Sequence, residues 1–287
     1  MAIQGPQDYN ILVLGVVVMH KIDNSRDWTE MAEMLRQAEA NLLIKLGNTP
    51  VIEHPYIAAW REAYRKFGAK PKDYPSSIEN LAGRVINGAA VGHINNLVCL
   101  NNTISLKHIL PVGGEDLDKI VGDVLLTPAG NEDPAVFLLS EKEARAPHPG
   151  EIIYKDEAGA ICRRWNWRKA DRTKLTRETQ NAFLVIETLP PVSRAALETA
   201  VCELADLVKQ DCGGTLLTAF LDKDTRNSTS AELRPCSFAV WRLRYSSART
   251  RNNYVSRNEK EKAIIIRSRS AGDIAVLHVG SFSRHRR

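Results

Sequence analysis

Two stretches of this chain gather side chains that could do chemistry. The first runs from Asn95 to Asp118. It interleaves paired asparagines (Asn95 and Asn96, Asn101 and Asn102), a Pro-Val-Gly-Gly turn signal at Pro111–Gly114 and an acidic run of Glu115, Asp116 and Asp118 with apolar residues. A side-chain amide is costly to bury unless its donors and acceptors find partners. Amides crowded beside a glycine pair therefore point to a polar pocket wall, or to a backbone tied down at turns and strand ends by side-chain bonds. The second stretch is Arg163-Arg164-Trp165-Asn166-Trp167-Arg168, followed by Asp171 and by Thr173, Thr176 and Thr179. Arginine pairs bidentately with phosphate or carboxylate, and tryptophan stacks on a base or an aromatic side chain. The plainer alternative is a strand whose tryptophans alternate into the core while its arginines face water.

Other reaction chemistries find no pattern here. The seven histidines are scattered without metal-ligand spacing, although His93 and His108 flank the asparagine stretch as candidate bases. No GxSxG elbow, P-loop or GxGxxG is present. The five cysteines (Cys99, Cys162, Cys202, Cys212, Cys236) are widely spaced and contain no CxxC, which argues against a zinc site or a disulfide framework and for a reducing compartment. No metal and no cofactor is expected.

The elements that must position these residues are marked by periodicity. Ile11–Met19 is a short continuous apolar run and is predicted to be a buried strand. Trp28, Met31, Leu35, Ala38 and Leu42 fall on one helical face that closes at Gly47. Ile57, Trp60, Tyr64 and Phe67 mark a second helix, and the capping spacing of Ser76 and Glu79 opens a third. Short strands are predicted over Asp123–Thr127, Ala135–Leu139, Glu151–Lys155, Ala160–Arg164 and Asn181–Glu187. A last helix, capped by Ser193, carries Leu197, Val201, Leu204 and Val208 and stops at Gly213–Gly214. Helices first, strands in the middle and a closing helix make an α+β order.

Charge divides the chain. Residues 220–287 hold 15 Lys+Arg against 6 Asp+Glu, a net of +9. The rest holds 39 − 15 = 24 against 34 − 6 = 28, a net of −4. A domain over residues 1–218 is expected, followed by a basic, Arg/Ser-rich extension over 219–287 that lacks periodicity and is read as poorly ordered, with an RNA-binding tail as the alternative. No apolar run approaches the roughly eighteen residues of a membrane span, so a cytoplasmic protein with no membrane partner is expected.

The asparagine stretch resembles the INNVVD-x-TNY…GQP-x-H-AFDLD region of the B3/B4 domain, the tRNA-binding and editing module of the bacterial phenylalanyl-tRNA synthetase beta subunit. The blocks at His54–Val85 and Gly150–Glu187 and the strand near Leu12–Val18 resemble free-standing bacterial proteins built from that module, and the likeness extends over roughly residues 8–218. It implies a β-sandwich core flanked by helices, tRNA or aminoacyl-tRNA as partner, and hydrolysis of misacylated aminoacyl-tRNA in trans. A non-catalytic module for tRNA or a free amino acid is the rival reading. It also implies an editing site in a cleft between the two halves of the module. Aligned through Val98, Asn102 stands at the family asparagine, Asn101 at its threonine and Cys99 at its aspartate. Asn101 and Asn102 are thus the expected positioners of water or ester. Asn95, Asn96, Arg164, Trp165 and Arg168 are the expected substrate contacts, joined by Thr179, which stands at a second family threonine. Pro111 matches the family proline, but Gly113 replaces its pocket histidine, and the arginine-tryptophan stretch stands where the family has a glycine-rich loop.

Overall fold

The apolar run near the start forms strand β1 (Val13–His20), and its residues are buried on both faces. Val17 and Met19 join one hydrophobic cluster, while Leu14, Val16 and Val18 join another. The alternation of a strand sends successive side chains to opposite faces, so a run apolar at every position belongs between two layers. In this computed structural model, residues 11–26 and 29–222 are described, together with the backbone of strands Lys262–Ile266 and Ala275–Ser281.

Strand β1 sits inside an antiparallel four-stranded sheet ordered β10-β1-β9-β2, in which β2 is Val112–Asp116, β9 is Ala182–Thr188 and β10 is Thr215–Leu221. Helices α1 (Thr29–Leu46), α4 (Asn96–His108) and α5 (Arg194–Cys212) cover one face. A second antiparallel sheet covers the other. Its order is β11-β12-β3-β6-β7-β8, where β3 is Asp123–Pro128, β6 Ile152–Asp156, β7 Gly159–Arg163 and β8 Arg168–Lys169. The extension expected over 219–287 begins inside β10, whose Ala219, Phe220 and Leu221 pair with β1, and strands β11 and β12 are its other described stretches. They pair with each other, and β12 pairs with β3; the remainder of the extension after Asp222 lies outside the described residues, as does Trp28. A two-residue pair, β4 (Val136–Phe137) with β5 (Ala144–Arg145), completes the strands. Helix α2 (Pro55–Lys66) spans both clusters, with Ile57 in the helix-side core and Trp60 and Tyr64 in the inter-sheet core. Helix α3 (Ser77–Ile86) is capped by Ser76, whose hydroxyl accepts from the Glu79 amide, as its spacing predicted. The architecture is α+β, a two-sheet core flanked by helices.

Two readings of the asparagine stretch are corrected. It is helical: Asn95 caps α4, its side-chain oxygen accepting from the Val98 amide at 3.1 Å. The Pro-Val-Gly-Gly signal is not a turn but the start of β2, and neither of its glycines has a positive φ. Space demands a glycine at Gly114, while at Gly113 a side chain would press on the flexible end of Lys169. A Cβ on Gly114 would stand 2.2 Å from Leu184 Cδ2, and one on Gly113 would stand 3.3 Å from Lys169 Nζ.

Among the described residues, no helix is long and apolar enough to cross a membrane.

Candidate functional site

The strands of the two sheets diverge beside β2 and β9 to leave a cleft of about 430 Å³. Alternation on β9 builds one wall. Ala182, Leu184 and Ile186 point into the helix-side core, and Phe183, Val185 and Glu187 point into the cleft. On neighbouring β2, Val112, Gly113 and Glu115 face the same space. The opposite wall comes from Tyr154 on β6, Ile161 and Cys162 on β7, and the β7–β8 hairpin, while Ser77, Asn80 and Arg84 of α3 form part of the rim.

The hairpin is the most constrained part of the site. Arg164 and Trp165 both have left-handed backbone, with φ of 45° and 65°. Non-glycine residues hold such angles only when their surroundings over-determine them. Here they do. Trp165 is fully buried edge-on to Trp60, with ring centroids 5.2 Å apart, and its Nε1 donates to Glu187 Oε1 at 3.1 Å. Below the turn, Arg163 is fastened to Glu151 by two buried bonds of 2.7 and 2.9 Å. Asn166 ties the turn to the helices: its Oδ1 accepts from Tyr64 Oη at 3.0 Å and from the Ser77 amide, and its Nδ2 donates to Glu187 Oε2.

Glu187 is therefore the hub of the cleft. It is 2% exposed and accepts side-chain bonds from Tyr154, Trp165 and Asn166. Burial pushes its carboxyl above the usual carboxylate range, with the three donors pulling the other way. A second buried carboxylate, Glu115, takes a bond from Thr173 Oγ1 at 2.7 Å and pairs with Lys169, whose Nζ also donates to the Gly114 carbonyl at 2.8 Å. Burial works against the Lys169 ammonium, but the neighbouring Glu115, Cys162 and Glu187 together outweigh it and raise the group above its ordinary range. Burial pushes the Cys162 thiol up to about 12, which disfavours the thiolate. The cleft thus offers an apolar and aromatic floor, two carboxylates, one ammonium, and Arg84 and Arg168 at its mouth. Arg168 bonds Glu141 Oε1 at 2.8 Å and lies against the Trp167 ring.

Of the residues singled out from sequence, Trp165 and Arg168 line this cleft. Arg164 turns away from it, over the Tyr74 ring. Thr179 is buried and donates to Asp116 Oδ2 at 2.8 Å, fixing the loop that enters β9. The asparagines lie beyond the four-stranded sheet, in the helix layer. Asn95 Nδ2 donates to the Leu175 carbonyl at 3.1 Å and Asn96 Nδ2 to the Arg26 carbonyl at 3.0 Å. Asn101 is buried and its Oδ1 has no partner among the described residues, and Asn102 is half-buried. None of the four lines the cleft, so Asn101 and Arg164 do not share one site. Gly113, however, does line it, at the position where the resemblance puts the pocket histidine, and Lys169 fills the adjoining space. His93 and His108 also lie elsewhere; His108 pairs with Glu203 at 2.9 Å. Among the described residues no group of side chains could hold a metal ion.

Sequence reasoning missed Glu187, Tyr154 and Lys169, and noted Glu115 only as part of an acidic run without a role in the site. A signal existed for Glu187: it is the acid that closes the apolar run of β9, in register with Phe183 and Val185. Residues 59–213, more than half of the chain, match the family model of the B3/4 domain. No curated protein matches the chain.

Proposed function

Since the chain belongs to the B3/4 domain family, we propose that it binds aminoacyl-tRNA, seats the aminoacyl ester in the inter-sheet cleft and hydrolyses it in trans. The observation that carries this reading is the composition of the cleft, in which buried carboxylates and an ammonium stand beside an apolar floor in a volume suited to an amino-acid ester. A carboxylate recognises an α-ammonium, Phe183 and Val185 suit an apolar side chain, and the arginines at the mouth suit the phosphates of the tRNA end. The attacking group in this reading is a water held by the cleft walls, with Lys169 stabilising charge that develops on the ester oxygen.

One observation favours a binding module that does not hydrolyse. The carboxylates of the cleft are already committed, Glu187 to three donors and Glu115 to Lys169 and Thr173, and Gly113 supplies no imidazole. Incubation with a panel of misacylated tRNAs separates the two. Deacylation of at least one member above the uncatalysed rate is expected. Saturable tRNA binding without any deacylation would leave the binding module, and neither binding nor deacylation would end the tRNA reading altogether.

A further inference from the structure

The hairpin that closes the cleft also presents Arg164 to a second hollow on its outer side. This cavity, about 420 Å³, is lined by residues including Lys70, Asp73, Tyr74, His148, Glu151 and Arg164 itself. The Arg164 side chain is only 7% exposed, and its guanidinium carbon lies 3.6 Å from the Tyr74 ring centroid and 5.0 Å from that of Trp167. The stack fixes the plane of the fork but satisfies none of its N–H groups. Its carboxylate partner, Glu151 Oε2, is 3.7 Å from Nη2, close enough to pair as an ion but beyond hydrogen-bonding reach. Both Glu151 oxygens are in any case used by Arg163. Among the described residues the Arg164 guanidinium therefore has no hydrogen-bond acceptor. The guanidinium thus keeps a charge partner but has N–H groups open to the cavity, where a ligand's oxygens could accept from them. The left-handed backbone at Arg164, with φ of 45°, is what aims the side chain outward while Trp165 turns in.

We propose that this cavity is an oxyanion site, in which the Arg164 fork takes a phosphate group and the exposed Lys70 and His148 flank it. A planar guanidinium held flat against an aromatic ring is preorganised for two-point contact with phosphate oxygens. Glu151 does not oppose the ligand, since Arg163 neutralises it. Asp73 does face the same space and limits the charge the cavity can accept, so one phosphate group is the fit. The inference does not depend on what the cleft binds. The phosphate belongs to free inorganic phosphate or to a polynucleotide backbone, and the chemistry at Arg164 is the same for both.

Titration of the full chain with inorganic phosphate at low ionic strength, followed by calorimetry, tests the site. Saturable uptake is expected, and Arg164→Gln should weaken it by at least about tenfold, the loss of one charge-assisted bond. If Arg164→Gln fails to fold, Lys70→Glu at an exposed position replaces it and should likewise weaken uptake. No saturable uptake by the unsubstituted chain, or uptake unchanged in a folded Arg164→Gln or Lys70→Glu variant, overturns the proposal. A 5′-phosphorylated ribonucleotide trimer that displaces inorganic phosphate assigns the site to a polynucleotide, and one that does not assigns it to the free ion.

Discussion

Replacing Glu151 with alanine is expected to lower the unfolding free energy by about 3–5 kcal/mol, the usual cost of removing one partner from a buried ion pair. Arg163 and Glu151 are 3% and 4% exposed at their side chains and are joined by two hydrogen bonds. Without the carboxylate, the Arg163 guanidinium stays buried with both of those acceptors gone. The loss falls on the hairpin that carries Trp165, Asn166, Trp167, Arg168 and Lys169, so the cleft should loosen with it. Denaturant unfolding measures the effect, and a change below about 1 kcal/mol, the size of a surface pair, would mean that the pair does not anchor the turn. Changing both residues to apolar ones of similar volume should cost far less than either change alone.

Glu187→Ala should do comparable damage by another route. It strips an acceptor from Tyr154, Trp165 and Asn166 together, and each buried donor left unpaired costs about 1–3 kcal/mol. In the reading proposed here, ligand binding in the cleft falls as well. Glu187→Gln separates the charge from the packing. Burial raises the folded-state pKa of Glu187 above its unfolded value. Between those two values the folded protein binds more protons than the unfolded one, so this group's contribution to stability is greatest at low pH and declines as pH rises through the window. The gap in stability between Glu187→Gln and the unsubstituted protein should therefore shift in favour of the glutamine variant as pH rises from the ordinary glutamate range upward. A gap that does not change with pH would show that the carboxyl titrates alike in both states.

How far the sequence revealed this arrangement depended on how each segment is buried. Helices with one apolar face were legible to within a residue or two: Ser76 and Ser193 cap α3 and α5, and Gly47 follows α1. Helix α4 was not legible. It is buried nearly all round, with Asn96, Asn101, Thr103 and Ser105 inside alongside Leu97, Leu100 and Ile104, so no apolar stripe marks it. Of the amides that drew attention as a pocket wall, Asn95 caps that helix and bonds the Leu175 carbonyl, and Asn96 bonds the Arg26 carbonyl. The turn at Arg164–Trp167 carries neither glycine nor proline, and its left-handed residues are imposed by tertiary bonds from Trp165 and Asn166 that no local pattern records. Trp165 and Arg168 could be singled out because their side chains advertise binding. Glu187, Glu115 and Lys169 acquire their importance only from the sheet register that brings β2, β7, β8 and β9 around one cavity.

In the function proposed above, the aminoacyl group enters the cleft between the sheets and not the asparagine-bearing helix layer. The most direct measurement is the affinity of a non-hydrolysable aminoacyl-adenosine analogue for two variants whose thermal melts match the unsubstituted protein. Val185→Trp fills the cleft from β9, and Asn102→Ala removes the amide from α4. Val185→Trp is expected to abolish saturable binding, while Asn102→Ala leaves it within about twofold, a difference too small to reflect a lost hydrogen bond. Full binding by Val185→Trp, with loss in Asn102→Ala, would contradict that placement.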